Sequence, residues 1–531
     1  MKELSSRKRV LRAVHGKDID RTPRLFRAKK IFTALIIFSI LFSLLPSCSG
    51  NKQDNPEAEK ETAETSSSGG LEAPEGKNER FAPNLPEFDF GGYEFCAVVP
   101  VNNAYGSYTF DKEEETGDNL DDAIYKRNRY VENKFNIILK QTEISDFWQL
   151  SDLFKKTVLS GSDDFDASTQ NESLNLAVQG YCLLPDELPY IDMSQPWYAH
   201  DMNDTYRIGN KNIIAYSDEC MSVYDAVIAV CFNKKLIRDL GLENPYDLVK
   251  SGAWTHDKFF DMCRAAVFDL DGNGEMTDTD RYGILSQYDE LLGNFWVGAG
   301  IKTVVKDSGD MLALNVAGNE PLLAILDKTH QNIYGGEKIF FDALSSFNQV
   351  TNFEVSNTYS WGFVDISRQQ FEVDLGLFLT AKMVRIPYLR AMEADFGIVP
   401  FPKADESQSR YYAASNGAWP KIVPKTASDP ERTSIILEAL AAESKNVTIP
   451  AFIEICLKTK YARDEESSEM LSIILDSVTE DLGTTIFWAT IKGTLIEEVM
   501  GNGNFVSVVE KQSARLEKVL DDVNKYVAEW E

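Results

Sequence analysis

The sequence predicts an α/β protein of two lobes, and three observations carry that expectation. Strand-like apolar runs alternate with amphipathic helical stretches on both sides of residue 212, the rhythm of βαβ units. At 531 residues the chain is too long for one ordinary core and fits two large α/β lobes plus a tail. Between the two rhythmic regions lies NIIAYSDECMSVYDAVIAVCFN (212–233), where the expected strands Ile213–Tyr216 and Asp225–Phe232 are joined through Ser217, Asp218 and Glu219. Two apolar strands linked through carboxylates read as backbone passing between two bodies, with polar groups facing a gap.

The elements follow in order. KKIFTALIIFSILFSLLPSC (29–48) is a basic end and an apolar run, Ile31 to Leu45, closed by Cys48. Fifteen helical residues reach about 22 Å, short of the ~30 Å of a bilayer core, so a signal peptide fits better than a permanent span. From Ser49 to Pro86 the composition is Glu, Lys, Ser, Gly and Pro, which cannot bury a core. That segment is a tether with an r.m.s. reach of about 30–35 Å. Alternation in YEFCAVV predicts a strand. LDDAIYKRNRYVENKF predicts a helix that buries Ile124, Tyr130, Val131 and Phe135. NIILKQ, DFWQLSDLFKKTVLSG and FDASTQ continue strand, helix, strand.

The same rhythm resumes after the crossing. Asn233 caps an expected helix Lys234–Leu240 that ends at Gly241, and Thr255 caps another that runs to Val267. LLGNFWVGAG reads as a loop-like phrase, and EPLLAILDKTH as an amphipathic helix. Near Pro400 the chain is expected to return to the first lobe through RYYAASNGAWPKIVP and a helix from Asp429. It then goes back to the second lobe and ends in the helix Val506–Trp530. The expected plan is thus 1–48 leader, 49–86 tether, 87–217 with 400–445 as lobe 1, and 218–399 with 446–531 as lobe 2.

Charge excludes some functions. The formal net charge is −29, and residues 1–47 hold 11 Lys/Arg against 3 Asp/Glu, so the remainder is more acidic than the whole. A surface of that sign does not suit DNA or RNA. The four histidines (His15, His200, His256, His330) are scattered, without HExxH or a Cys–His pairing, which argues against zinc chemistry. Apart from Cys48, six cysteines lie at irregular spacing with no CxxC, which fits buried thiols; one or two disulfides are the alternative. No GxSxG, Walker loop or Ser-His-Asp order is present.

One motif carries metal chemistry. In DLDGNGEMTDTD (269–280), Asp269, Asp271 and Asn273 fall at loop positions 1, 3 and 5, and Gly274 supplies the turn at 6. Glu275 offers its carbonyl at 7, Thr277 sits at 9 and Asp280 at 12. Ca2+ needs six or more hard oxygens at about 2.3–2.6 Å, and this spacing delivers them from one loop. Asp at position 12 is a shorter arm than Glu, which weakens the site. The expected role is a structural staple, and the alternative is a plain acidic turn.

The phrase FNKKLIRDLGLENPYDLVKSGAWTHDKFFDMC (232–263) resembles the extracellular solute-binding lipoproteins of ABC-type carbohydrate importers. FDFGGYEF (88–95), TGDNLDDAIYKRNRYVENKFNI (116–137), LPYIDMSQPWY (188–198), DFGIVPFPK (395–403) and RDEESSEMLSIILDS (463–477) follow in family order. Leu45-Pro46-Ser47-Cys48 is similar to a lipobox, which implies a lipid on Cys48 and an anchor at the extracellular face of the cell membrane. Residues 5–23 look like the opening of the uroporphyrinogen decarboxylase family, but nothing of that barrel follows and no function is carried from it.

The resemblance implies a two-lobe periplasmic-binding-protein-like fold with a hinge of crossing segments, and an ABC permease as partner. It also points to ligand contacts. A sugar cleft needs aromatic plates and hydroxyl-reading side chains. Asn294 and Trp296 fall where the resemblance puts the cleft side of the second lobe, and Arg385 where the family often places a contact. Asp218 and Glu219 occupy the crossing, with Trp361 and Trp419 as weaker choices. Trp148, Trp254, Trp488 and Trp530 are read as packing, and Trp197 as a residue that shapes its lobe. The expected function is capture of an oligosaccharide without chemistry. The alternatives are a surface glycoside hydrolase or lyase, which needs two carboxylates about 5–9.5 Å apart, and a ligand-free adhesin or scaffold.

Overall fold

In the first lobe, strand β1 (Tyr93–Pro100) is followed by helix α1 (Asn119–Phe135), strand β2 (Ile137–Ile144), helix α2 (Leu150–Ser160) and the short strands β3 (Ala167–Thr169) and β4 (Cys182–Leu183). The computed structural model describes residues 80–101, 108–353, 362–455, 465–487 and 489–529. The expected signal peptide with Cys48, and with them Trp361, Cys456, Trp488 and Trp530, lie outside the described residues.

Asp118 opens α1 by accepting the N–H groups of Leu120 and Asp121, and Asn136 closes it at φ +50°. Ile124, Val131 and Phe135 are buried as expected, but Tyr130 is 42% exposed. It sits about 100° round the helix from Val131, where the Arg80 guanidinium stacks on its ring at 4.2 Å. In β1 the side chains alternate: Phe95, Ala97 and Val99 enter a cluster with α1, while Val98 faces the opposite cluster.

The second lobe supplies β5 (Ile228–Asn233), α3 (His256–Ala266), β6 (Tyr282–Ser286), α4 (Tyr288–Gly298), α5 (Glu320–Tyr334), β7 (Phe340–Asp342), α6 (Gly362–Glu372), β8 (Gly376–Lys382) and β9 (Phe396–Val399). Its sheet runs β7-β6-β8-β5-β9, with β6, β7 and β8 parallel and β5 antiparallel to β8 and β9. Both faces are covered, so every residue of β5, β6 and β8 is buried. Asn233 caps Lys234–Asp239 and Thr255 caps α3, both as expected. LLGNFWVGAG, by contrast, forms the body of α4 rather than a loop.

Strand β10 (Lys421–Pro424) then inserts antiparallel between β3 and β4, completing a first sheet of order β2-β1-β3-β10-β4. Residues 400–412 still pack on the second lobe: Lys403 exchanges backbone bonds with Trp254 and His256, and the Trp254 indole donates to the Pro400 carbonyl. Helices α7 (Pro430–Glu443), α8 (Glu465–Asp476), α9 (Ile491–Met500) and α10 (Phe505–Ala528) finish the chain. Among the described residues no helix is long and apolar enough to cross a membrane.

Three segments connect the lobes. The first is 213–227, where Ile213–Tyr216 is not a strand; its backbone is held instead by Asn203, which bonds both N–H and C=O of Tyr216. Residues Ser222–Asp225 form a helical turn, so the strand expected from Asp225 begins only at Ile228. The second is 415–420, where Ser415 bridges Val227 and the Pro420 carbonyl accepts from Gln170. The third is the π-turn Ser444–Thr448 between α7 and the helix Ile449–Ile455. One apolar cluster is continuous through the lobes, from Phe154 and Leu174 to Val230, Phe259 and Phe295.

Candidate functional site

The parallel strands β6, β7 and β8 end at Ser286, Asp342 and Lys382, so their carboxyl ends share one edge of the second sheet. Such an edge is where open α/β sheets bind ligands. The residues that follow these ends gather there. Arg385 grips Glu290 in a bidentate pair at 2.8 and 2.9 Å. Lys382 donates to the Asn416 carbonyl in the second crossing at 2.5 Å. Burial pushes Lys382 down to about 7, against the pull of Glu290. Burial would lift the Glu290 carboxyl, but Arg385 and Lys382 hold it below its ordinary value. Burial and the neighbouring Glu290 raise Asp289, and burial lowers Lys492.

Beside this network lies a recess of about 450 Å³, partly open to solvent, walled by Gln287, Thr380, Arg385, Tyr388, Arg368 and Ser367. The Ser367 hydroxyl is buried with no hydrogen-bond partner among the described residues. Arg385 therefore lies on a cavity wall, although its guanidinium is already engaged by Glu290.

On the first lobe, the second crossing carries Trp419 into a group of rings. Tyr108 stacks on Trp419 with centroids 4.8 Å apart and planes 14° from parallel. Phe147 lies 5.4 Å from Trp419 and 4.6 Å from Trp148. Trp419 is only 8% exposed, whereas Trp148 is 58% exposed. Trp148 is thus not packing, contrary to expectation. Asp146 caps its turn, and more than half of the side chain is open to solvent. Next to these rings, at the end of β3, the buried Thr169 Oγ1, Gln170 Oε1 and Asn171 Oδ1 have no partner among the described residues. Aromatic plates beside unspent polar groups suit a molecule with both apolar faces and hydroxyls. Tyr108 and Phe147 were not singled out from sequence and Trp148 was read as packing; the one signal available for the pair was the DFW triplet after β2.

The other expected contacts lie elsewhere. Asp218 and Glu219 are in the crossing, but Asp218 faces no recess and Glu219 lines only one on the first lobe. Asp218 pairs with Lys445 at 3.2 Å and accepts from Tyr224 at 2.8 Å. Both Glu219 oxygens accept from Lys421, at 2.7 and 2.9 Å, with Arg127 at 3.8 Å. Burial raises the Asp218 carboxyl against the pull of Lys445. These carboxylates brace the crossing, each spent on a lysine more than two hundred residues away. Asn294 turns its amide back onto the Glu290 carbonyl of its own helix. Trp296 is 1% exposed, with its indole N–H 3.4 Å from Asp481, a core position in α4. Trp197 donates to Glu438 and shapes its lobe as expected, and Trp254 is fully packed.

The acidic loop folds back on itself. Phe268 and Arg281 exchange two backbone bonds at its base. Asp269 accepts the N–H groups of Gly272 and Gly274, and Gly274 takes φ +85°, which needs glycine. The Gly274 N–H holds the Asp269 carboxyl below its ordinary value. Carboxylate oxygens of Asp269, Asp271 and Asp280 lie within 4.8 Å of one another. Asn273 sits in the same turn, accepting from the Glu275 N–H at 2.7 Å, and Thr277 bonds Asp280. This donor set is all oxygen and suits a hard cation. The five described cysteines outside the leader are free.

No protein-family model matches the chain, and no curated protein matches it in sequence. Solved structures do. An ABC substrate-binding protein of Listeria monocytogenes in complex with cycloalternan superposes with TM-score 0.50 at 11% identity, over 81% of this chain and 99% of that one. The GacH receptor of Streptomyces glaucescens, solved unliganded and with acarbose, gives TM-score 0.51 at 12% identity, over 81% and 99%. UspC of M. tuberculosis gives 0.50 at 12%, over 80% and 100%. With the strand orders and three crossings above, this likeness establishes the architecture: the chain has the two-lobe α/β fold of the ABC-type substrate-binding proteins.

Proposed function

We propose that the chain is a solute-binding protein that holds an oligosaccharide between its lobes and hands it, unaltered, to an ABC permease. One observation carries this reading. On either side of the second crossing, the fold sets an aromatic platform (Tyr108, Trp419, Phe147, Trp148) and a polar recess with Arg385, Tyr388 and Gln287. The platform suits the apolar faces of pyranose rings, and the unspent acceptors of Gln170 and Asn171 suit their hydroxyls. Proteins of the same fold bind cycloalternan and acarbose, which supports a glucan-like ligand. Ligand held by both lobes favours the closed arrangement by its differential affinity for it.

The leader completes the reading. Cleavage before Cys48 and lipidation of its thiol would hold the protein at the extracellular face of the membrane, with residues 49–79 as spacer, since Arg80 and Phe81 already bond Glu443 and Asn446 of the folded body. The acidic loop 269–280 is a Ca2+ staple: Asp269, Asp271, Asn273 and Asp280 supply side-chain oxygens and Glu275 its carbonyl. Bound there, the ion would neutralise three neighbouring carboxylates and tie the chain after α3 to the strand β6.

The test is a glycan panel incubated with the purified chain, read by retention and by product analysis. Retention of an α-glucan without turnover is the expected result. Cleaved product would make the protein an enzyme, and no retention would make it a scaffold.

A further inference from the structure

We propose that the first lobe carries a second ligand site, a recess beside the crossings that takes a small neutral aliphatic alcohol. The recess encloses about 610 Å³ of empty space, a figure that includes the solvent at its open mouth. Its walls come from four places: Leu188 and Ile191 of the segment 183–198, Ile213 to Ala215 of the first crossing, Ile422 and Val423 of β10, and Leu437 of α7.

The lining decides the class of occupant. The walls are largely aliphatic, and the polar lining is Ser217, Glu219 and Lys421, with the Cys220 thiol already spent on the Trp419 carbonyl. Glu219 and Lys421 already satisfy each other at 2.7 and 2.9 Å. A charged ligand would have to break that buried pair, at several kcal/mol. Tyr198, the one ring in the wall, spends its hydroxyl on Glu438. What is left is the Ser217 hydroxyl, which has no side-chain hydrogen bond to any described residue. One free hydroxyl at the end of an aliphatic recess matches one hydroxyl on an aliphatic body. A pyranose does not fit, because its several hydroxyls would lie unpaired against Ile213, Ile422 and Val423. The recess shares no residue with the aromatic platform, so it is a different site from the proposed sugar cleft.

Position gives the site its interest. An occupant would touch the first crossing, the strand into which the second crossing runs, and the helix that leads into the third.

The experiment uses the full chain with cyclohexanol as probe and glucose as the polyhydroxyl control, read by saturation-transfer NMR and by crystals soaked with the probe. Saturable cyclohexanol binding is expected, with its ring between Ala215 and Val423 and its hydroxyl on Ser217, and none for glucose at the same place. Ala215→Phe and Leu437→Trp each fill the recess and should abolish the signal while the melting temperature holds. Ser217→Ala, which leaves the packing intact, should weaken binding by severalfold even if a filling variant fails to fold. Absence of saturable binding to the unaltered chain would overturn the proposal, and so would binding that none of the three substitutions changes. A negative glycan panel would not touch this result, since the two sites have no wall in common.

Discussion

Trp148 and Trp296 exchange the roles the sequence suggests. Each directly follows a phenylalanine, yet the one read as packing is solvent-facing beside Phe147, and the one read as a ligand contact is sealed against Asp481. Trp148→Ala should cut glycan affinity at least tenfold and leave the melting temperature nearly unchanged, which isothermal titration and calorimetry would check together. Trp296→Ala should cost about 3–5 kcal/mol of stability, the range for truncating a buried aromatic; a denaturant midpoint that does not move would contradict its placement. The carboxylates of the crossing behave similarly. Lys421→Met strands Glu219 inside the protein and should destabilise by about 3–5 kcal/mol, whereas adding Glu219→Leu should recover much of that loss. None of this was legible locally. The partners of Asp218 and Glu219 are Lys445 and Lys421, brought in by a strand and a turn that come two hundred residues later. Arg385, chosen on the resemblance, sits just after a buried strand, at the carboxyl edge of the second sheet.

Caps and periodicity read well at the level of elements. Asp118, Asn233, Thr255 and Asp429 each open the helix expected of them, because capping is decided within four residues. The phrase LLGNFWVGAG read badly, for a reason visible in its glycines. Gly293 lets the Lys492 side chain lie against α4, where a Cβ would meet it at 3.2 Å, and Gly298 does the same for Phe401. They serve close packing rather than a turn, and only tertiary structure tells the two apart. Ile213–Tyr216 misled for a related reason, since its apolar side chains are buried but its backbone bonds to Asn203 instead of a neighbouring strand. For the acidic loop the decisive variant is Asp271→Ala, because that side chain is exposed and bonds only within its own turn. Calcium should raise the melting temperature of the unaltered chain and not that of the variant, while the two melt alike in excess chelator. Equal melting of the unaltered chain with and without calcium would mean the loop is an acidic turn.

For the molecule as a whole, two α/β lobes joined by crossing segments were legible from length, rhythm, one polar junction and the resemblance, but not the side chains that brace the crossings. Two scattering profiles, with and without a retained glycan, should show whether the lobes swing: a smaller radius of gyration on binding is expected. Stability should also depend on pH in a defined way. Burial raises Glu438 and Glu480 from 4.5 to about 7. The folded chain therefore holds these protons more tightly than the unfolded one. Their contribution is full below pH 4.5 and is lost as pH rises through 7. Lys382 is lowered from 10.5 to about 7, so its cost is full below pH 7 and is relieved between 7 and 10.5. The melting temperature should climb from pH 7 to pH 5, and Glu480→Gln should flatten that climb.

The strand order sets a timetable. All five strands of the second sheet lie between residues 228 and 399, whereas the first sheet lacks its fourth member until Lys421–Pro424 arrives. Until then β3 shows an open edge and β4 has no neighbour at all. As the chain emerges amino end first, the later half should acquire protection from hydrogen exchange before the earlier half does. The portion made first is the one that must wait, and it is there that a chaperone or an unwanted strand would find its opening.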